Sequence, residues 1–96
     1  MMMNFDNSLE IGKLIKVRFV TYFPKNENDI DPAGEWRKSR VRCVPNDLGI
    51  VTGCYLKKIT NTQSLITSIR TYQLLNLRSL QKFECDYKNV HLLEKI

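Results

Sequence analysis

Arg40 and Arg42 alternate along one segment of the chain, Arg70 and Tyr72 along another, and Tyr22 and Tyr55 stand in runs of the same alternating kind. A guanidinium offers a planar fork of N–H donors that fits a phosphate and stacks on a base, which a lysine ammonium cannot do. Aromatic rings add a stacking platform, at roughly 1–3 kcal/mol per stacked base. Alternation then decides which residues act together: Arg70 and Tyr72 share one strand face, and Ile69 and Thr71 the other. The competing use of an aromatic ring in a small domain is to fill the core, and Trp36 and Tyr72 lean that way while Tyr22 and Tyr55 are balanced between the two.

No catalytic constellation is assembled. His91 is the single histidine, without a second His or Cys at ligand spacing, so neither a metal site nor a Cys–His pair is expected. Asp29, Asp31 and Glu35 cluster around a loop, where carboxylates more simply solvate the chain than hold a cation. The expectation is a non-enzymatic protein with no cofactor and no metal. Cys43, Cys54 and Cys85 form neither an even disulfide set nor a metal spacing. Cys43 and Cys54 lie in apolar strand patterns, where a free thiol behaves as a small buried hydrophobe. Reduced thiols fit a cytoplasmic location, as do the lack of any run of about 18 apolar residues and of a secretory leader.

Fifteen Lys and Arg against ten Asp and Glu give a net charge of +5, with the excess mainly between Lys13 and Lys58. Basic residues interleaved with strand residues suit an anionic partner, such as nucleic acid or a nucleotide, and equally a solvated basic face that keeps the protein soluble. At 96 residues and 43% hydrophobic, the chain is long enough for one domain and too apolar for a disordered one. The domain spans 1–96, with its core at about 13–83 and a C-terminal extension over 84–96.

The elements that must position these groups are strands. After cap-type residues at Asp6–Glu10, suited to a short helix or turn, the run from Leu14 to Phe23 alternates as one long first strand. The segment 24–34 has loop chemistry. Glu35–Val44 reads as the second strand, ended by Pro45-Asn46-Asp47, and Leu48–Ile59 as a third strand or a hairpin turning at Thr52-Gly53. Leu65–Leu74 is the fourth, Leu75–Phe83 a helical turn or a fifth strand, and the tail from Asp86 a short helix or edge strand. Short strands with little helix between them predict a mostly β fold, a small SH3-like or Sm-like antiparallel β-barrel with short terminal helical segments.

Tyr22, Arg40-Val41-Arg42-Cys43-Val44-Pro45, Leu48, Gly53-Cys54-Tyr55-Leu56 and Arg70-Thr71-Tyr72-Gln73-Leu74 stand in an order and at separations that resemble the WYL domain. The similarity covers Val17 to about Leu80, roughly two thirds of the chain. Cys54 replaces the signature Trp, and Leu75 and Asn76 replace the usual Asp and Arg. The resemblance implies a regulatory, ligand-sensing barrel that binds nucleic acid or nucleotides on one face. Tyr55 and Arg70 would line that face, with Arg40 or Arg42 contributing from a neighbouring strand. The changes at Leu75 and Asn76 remove its charged part.

Three functions follow as expectations. The first is a module that binds single-stranded nucleic acid or a nucleotide through Tyr22, Arg40, Arg42, Tyr55, Arg70 and Tyr72 and regulates a partner protein. The second is a protein-interaction module that forms a homodimer or higher homo-oligomer through a strand edge or the Leu77-Leu80-Phe83 and Leu92-Leu93-Ile96 ridges. The third is a phage-type inhibitor of a nucleoprotein or a nucleotide signal.

Overall fold

The computed structural model describes residues 8–25, 40–60 and 66–96. Seven strands follow one another: β1 (Leu14–Val17), β2 (Thr21–Pro24), β3 (Arg40–Cys43), β4 (Leu48–Thr60), β5 (Ile66–Asn76), β6 (Lys82–Asp86) and β7 (Leu93–Lys95), with a 3-10 helix, Tyr87–Leu92, before the last. Five form an antiparallel sheet in the order β6-β5-β4-β1-β7, and β2 and β3 pair separately. The fold is mostly β and antiparallel, but the expected barrel does not close. The β2–β3 hairpin meets the large sheet at one isolated bridge, Lys25 to Phe83, beside the β6 edge.

Period-two alternation explains which face is buried. Ile15 and Val17 of β1 point inward and meet Val51, Leu74, Phe83, Cys85 and Leu93, all at most 5% exposed. Phe23, Val41 and Cys43 cover them from the small sheet, and the Phe23 and Phe83 rings lie 4.9 Å apart. Burying such a side chain contributes about 1.5–3 kcal/mol, so this set supplies the main driving force for the fold.

A polar node locks the turns at one end of the sheet. Asp47, at the β3–β4 turn, is 5% exposed and accepts from Val44 N, from Asn76 Nδ2 and twice from Arg78, at 2.6 Å (Nε) and 3.0 Å (Nη2). Asn76, 1% exposed at the end of β5, turns its Oδ1 back onto the N–H groups of Arg78 and Ser79. The Arg78 guanidinium holds the Asp47 carboxyl at about 2, below its ordinary 3.8, with the Val44 and Asn76 hydrogen bonds acting in the same direction against burial. The position at which the resemblance lacks a charged residue is thus occupied by a buried fastening.

Two further expectations are corrected by the fold, and one left open between two forms is decided. The long first strand breaks at Arg18–Val20 into β1 and β2, which belong to different sheets. Residue-type alternation runs on through Phe19 and Val20, yet these side chains are 57% and 54% exposed where the chain crosses between sheets. Of the two forms expected for Leu48–Ile59, the single strand is the one present, over Leu48–Thr60, and Gly53 marks a register shift against β5 where the hairpin turn would have stood. Cys54 is exposed, although Tyr72 opposite it on β5 is buried; Cys43 is buried as expected. The tail forms both expected elements, the 3-10 helix and a three-residue edge strand. Trp36, Asp29, Asp31 and Glu35 lie outside the described residues.

Candidate functional site

The β2–β3 hairpin brings three of the anticipated residues together. Its register sets Tyr22 opposite Arg42 and Pro24 opposite Arg40, while Phe23 opposite Val41 points into the core. Tyr22 is 58% exposed, and both arginines are exposed. Directly opposed side chains leave the backbone about 5 Å apart, and residues two apart on a strand are separated by about 7 Å. The outer surface of the hairpin therefore carries one aromatic ring flanked by two guanidinium groups at phosphate-like spacing.

Beside it, β2 and β6 part after the Lys25–Phe83 bridge, and a cavity of about 220 Å³ opens between them. Tyr22 and Pro24 stand on its β2 side; Lys57, Thr71, Glu84 and Asn89 line it from the large sheet. Glu84 is 2% exposed. The Tyr55 hydroxyl donates to its Oε2, and Lys57 Nζ lies 4.0 Å from its Oε1. A carboxylate out of water needs such partners, since an unpaired buried charge is costly. Tyr55 thus acts on the cavity through Glu84.

Arg70 and Tyr72 lie elsewhere. Arg70 pairs across the ribbon with Leu56, whereas Tyr55 pairs with Thr71, so Tyr55 and Arg70 occupy opposite faces of β4–β5 rather than the single face that the resemblance implies. The Tyr72 ring is in the core at 1% exposed, and its hydroxyl has no well-formed hydrogen bond. The nearby Arg70 guanidinium is held more firmly charged by Tyr72, yet its own geometric contacts are a 3.4 Å hydrogen bond to Ser8 Oγ and the Tyr87 ring, 5.8 Å from its centroid. Tyr72 thus serves packing, and Arg70 forms a cation–aromatic pair with Tyr87, away from the hairpin.

Sequence reasoning did not single out Glu84 or Lys57. In Lys82-Phe83-Glu84-Cys85-Asp86 the charges alternate as a solvated face would, and only the parting of β2 from β6 turns Glu84 into a cavity residue. Among the described residues, no group of three or more His, Cys, Asp and Glu is arranged to hold a metal ion, and no helix is long and apolar enough to cross a membrane. No family model, curated protein or solved structure matches the chain.

Proposed function

We propose that this chain is a non-enzymatic module that binds single-stranded nucleic acid or a nucleotide on the outer face of the β2–β3 hairpin, in a fold read as an opened SH3-like or Sm-like barrel. The observation that carries the reading is the pairing of exposed Tyr22 with Arg42, with Arg40 two residues along, on a chain of net charge +5. The ring stacks a base while the guanidinium groups take flanking phosphates, which is how sequence-tolerant single-strand binding is built. The likeness to WYL domains supports the same ligand class. It places the ligand partly at Arg70, whereas the hairpin supports Tyr22, Arg40 and Arg42.

Fluorescence anisotropy with labelled single-stranded DNA and RNA, at low and at moderate salt, tests this. Each phosphate contact contributes about 0.7 to the slope of log affinity against log salt for single strands, so removing Arg40 and Arg42 together should lower the slope by about 1.4. Binding that ignores salt, or an unchanged slope in the folded double variant, refutes the assignment.

A second reading rests on a different observation. Leu14, Leu48 and Leu77 are each about 40% exposed (40%, 39% and 41%) on or beside the outer face of the large sheet, a surface suited to self-association or a protein partner. Sedimentation velocity with Leu14→Lys and Leu48→Lys tests its self-associating form: a dimer that these variants dissolve supports it, and a monomer at every concentration removes self-association.

A further inference from the structure

The cavity between β2 and β6 has a feature that base-neutral stacking does not need. At its wall stands Glu84, a carboxylate on a side chain 3% exposed, whose Oε2 accepts from Tyr55 and whose Oε1 accepts no hydrogen bond among the described residues, with Lys57 Nζ only at 4.0 Å. Each carboxylate oxygen can accept two hydrogen bonds, so capacity remains on both. Tyr55 and Lys57 hold the carboxylate in place, and its remaining lone pairs are free to meet a donor in the cavity that Glu84 lines.

The structure points to a donor-bearing ring as the occupant, and we propose that the cavity takes a guanine base, read at its Watson–Crick edge by Glu84 and stacked on Tyr22, with the attached phosphate on Arg40 and Arg42. This deepens the nucleic-acid reading and rests on it. Three observations choose the ligand. The volume of about 220 Å³ lies below the 300–1,000 Å³ typical of drug-sized sites, which suits one planar ring system. Lys57, Glu84 and Asp86 line the cavity, and Lys25 at the bridge with the two hairpin arginines outside it add three cationic groups, so the cations outnumber the carboxylates and a ligand tethered to an anion is favoured over an ammonium or guanidinium. What remains is a neutral group with adjacent donors that is tethered to an anion.

Guanine meets that description through its ring N–H and its exocyclic amine, side by side. Adenine and cytosine place a ring acceptor next to a single amine, and uracil flanks its one N–H with two carbonyls, so each would set a lone pair against the carboxylate. Discrimination follows from this repulsion as much as from the hydrogen bonds gained.

The experiment compares guanosine, adenosine, cytidine and uridine 5′-monophosphates as competitors of a labelled single strand, with amide chemical shifts followed in parallel on the unmodified protein. Guanosine monophosphate should compete roughly ten- to a hundredfold better than the others, and should shift the Thr71, Glu84 and Asn89 amides. E84Q retains an acceptor for Tyr55 but presents an amine to the ligand, and it should lose the preference while keeping phosphate-driven binding. Tyr22→Ala should weaken all four nucleotides alike. Equal competition by the four, or guanosine-specific shifts away from the cavity, overturns the guanine assignment and leaves the base-neutral reading standing. No binding of any nucleotide or strand overturns both.

Discussion

Asp47→Asn tests the node that fastens the β3–β4 turn to the end of β5. The carboxyl is held at about 2 against an ordinary 3.8, first by the Arg78 hydrogen bonds. A folded-state value below the unfolded one means that the stabilisation is fully present above the unfolded value and is lost as pH falls from about 5 towards 2. A depression of nearly two units corresponds to about 2.4 kcal/mol at most, and solvent around the half-exposed Arg78 brings the expected figure to about 1–2 kcal/mol. The variant adds a second loss, because one end of the new amide is a donor facing the donors of Asn76 and Arg78, at about 1–3 kcal/mol for an unsatisfied buried group. Urea unfolding followed by far-ultraviolet circular dichroism, at pH 7, 5, 4 and 3, separates the two. The gap between native and variant should be widest at pH 7 and narrow by about 0.7–1 kcal/mol by pH 3, where the Asp47 carboxyl is mostly protonated in the unfolded chain but still ionised in the folded one. A gap that stays constant across the series would show that Asp47 acts by shape alone and would refute the electrostatic account.

Phe83→Ala empties the centre of the core opposite Phe23 and should cost about 3–5 kcal/mol in the same denaturation assay, whereas Ile96→Ala, at a side chain 73% exposed, should change stability by less than about 0.5 kcal/mol. Leu80 has φ +59° in the β5–β6 connection, a left-handed conformation that costs a branched residue about 1–2 kcal/mol, so Leu80→Gly should raise the midpoint despite the extra freedom of the unfolded chain. A lowered midpoint would show that the Leu80 side chain packs better than its exposure indicates. Burial pushes the Cys85 thiol up to about 12 and also raises Cys43, while Cys54 is exposed; iodoacetamide at pH 8 should therefore alkylate Cys54 alone in the folded protein, read by peptide mass, and equal labelling of all three would contradict the buried placement.

Much of this architecture is legible in residue order. The β4 and β5 strands, the inward Ile15 and Val17, and the outward Arg40 and Arg42 all follow from period-two alternation, because that pattern is set by the pleat itself. Alternation is blind to sheet membership, however, and so it joins β1 to β2 across Phe19 and Val20. It is equally blind to whether anything covers a given position of a strand, which is why Cys54 looks as buried as Cys43. The candidate site is split the same way. Tyr22 and Arg42 meet through a local hairpin, but Glu84 reaches their neighbourhood only because β6 lies beside β2, a proximity that no short-range pattern carries. Asn76 carried a recoverable signal, since Asn followed two and three residues later by Arg78 and Ser79 is a side-chain-capped turn.

β1 sits between β4 and β7, so that Ile15 faces Lys95 across nearly the whole described chain. Neighbouring strands separated by so much sequence carry the largest loop-closure entropy in the molecule, and they assemble after the locally paired β4–β5–β6 meander. A chain whose strands up to β6 have formed still leaves one flank of β1 bare until β7 docks. The slow and aggregation-exposed step in forming this sheet is therefore the docking of the three-residue β7 on β1, and the Lys16–Glu94 ion pair, 3.6 Å across that seam, is among the late contacts.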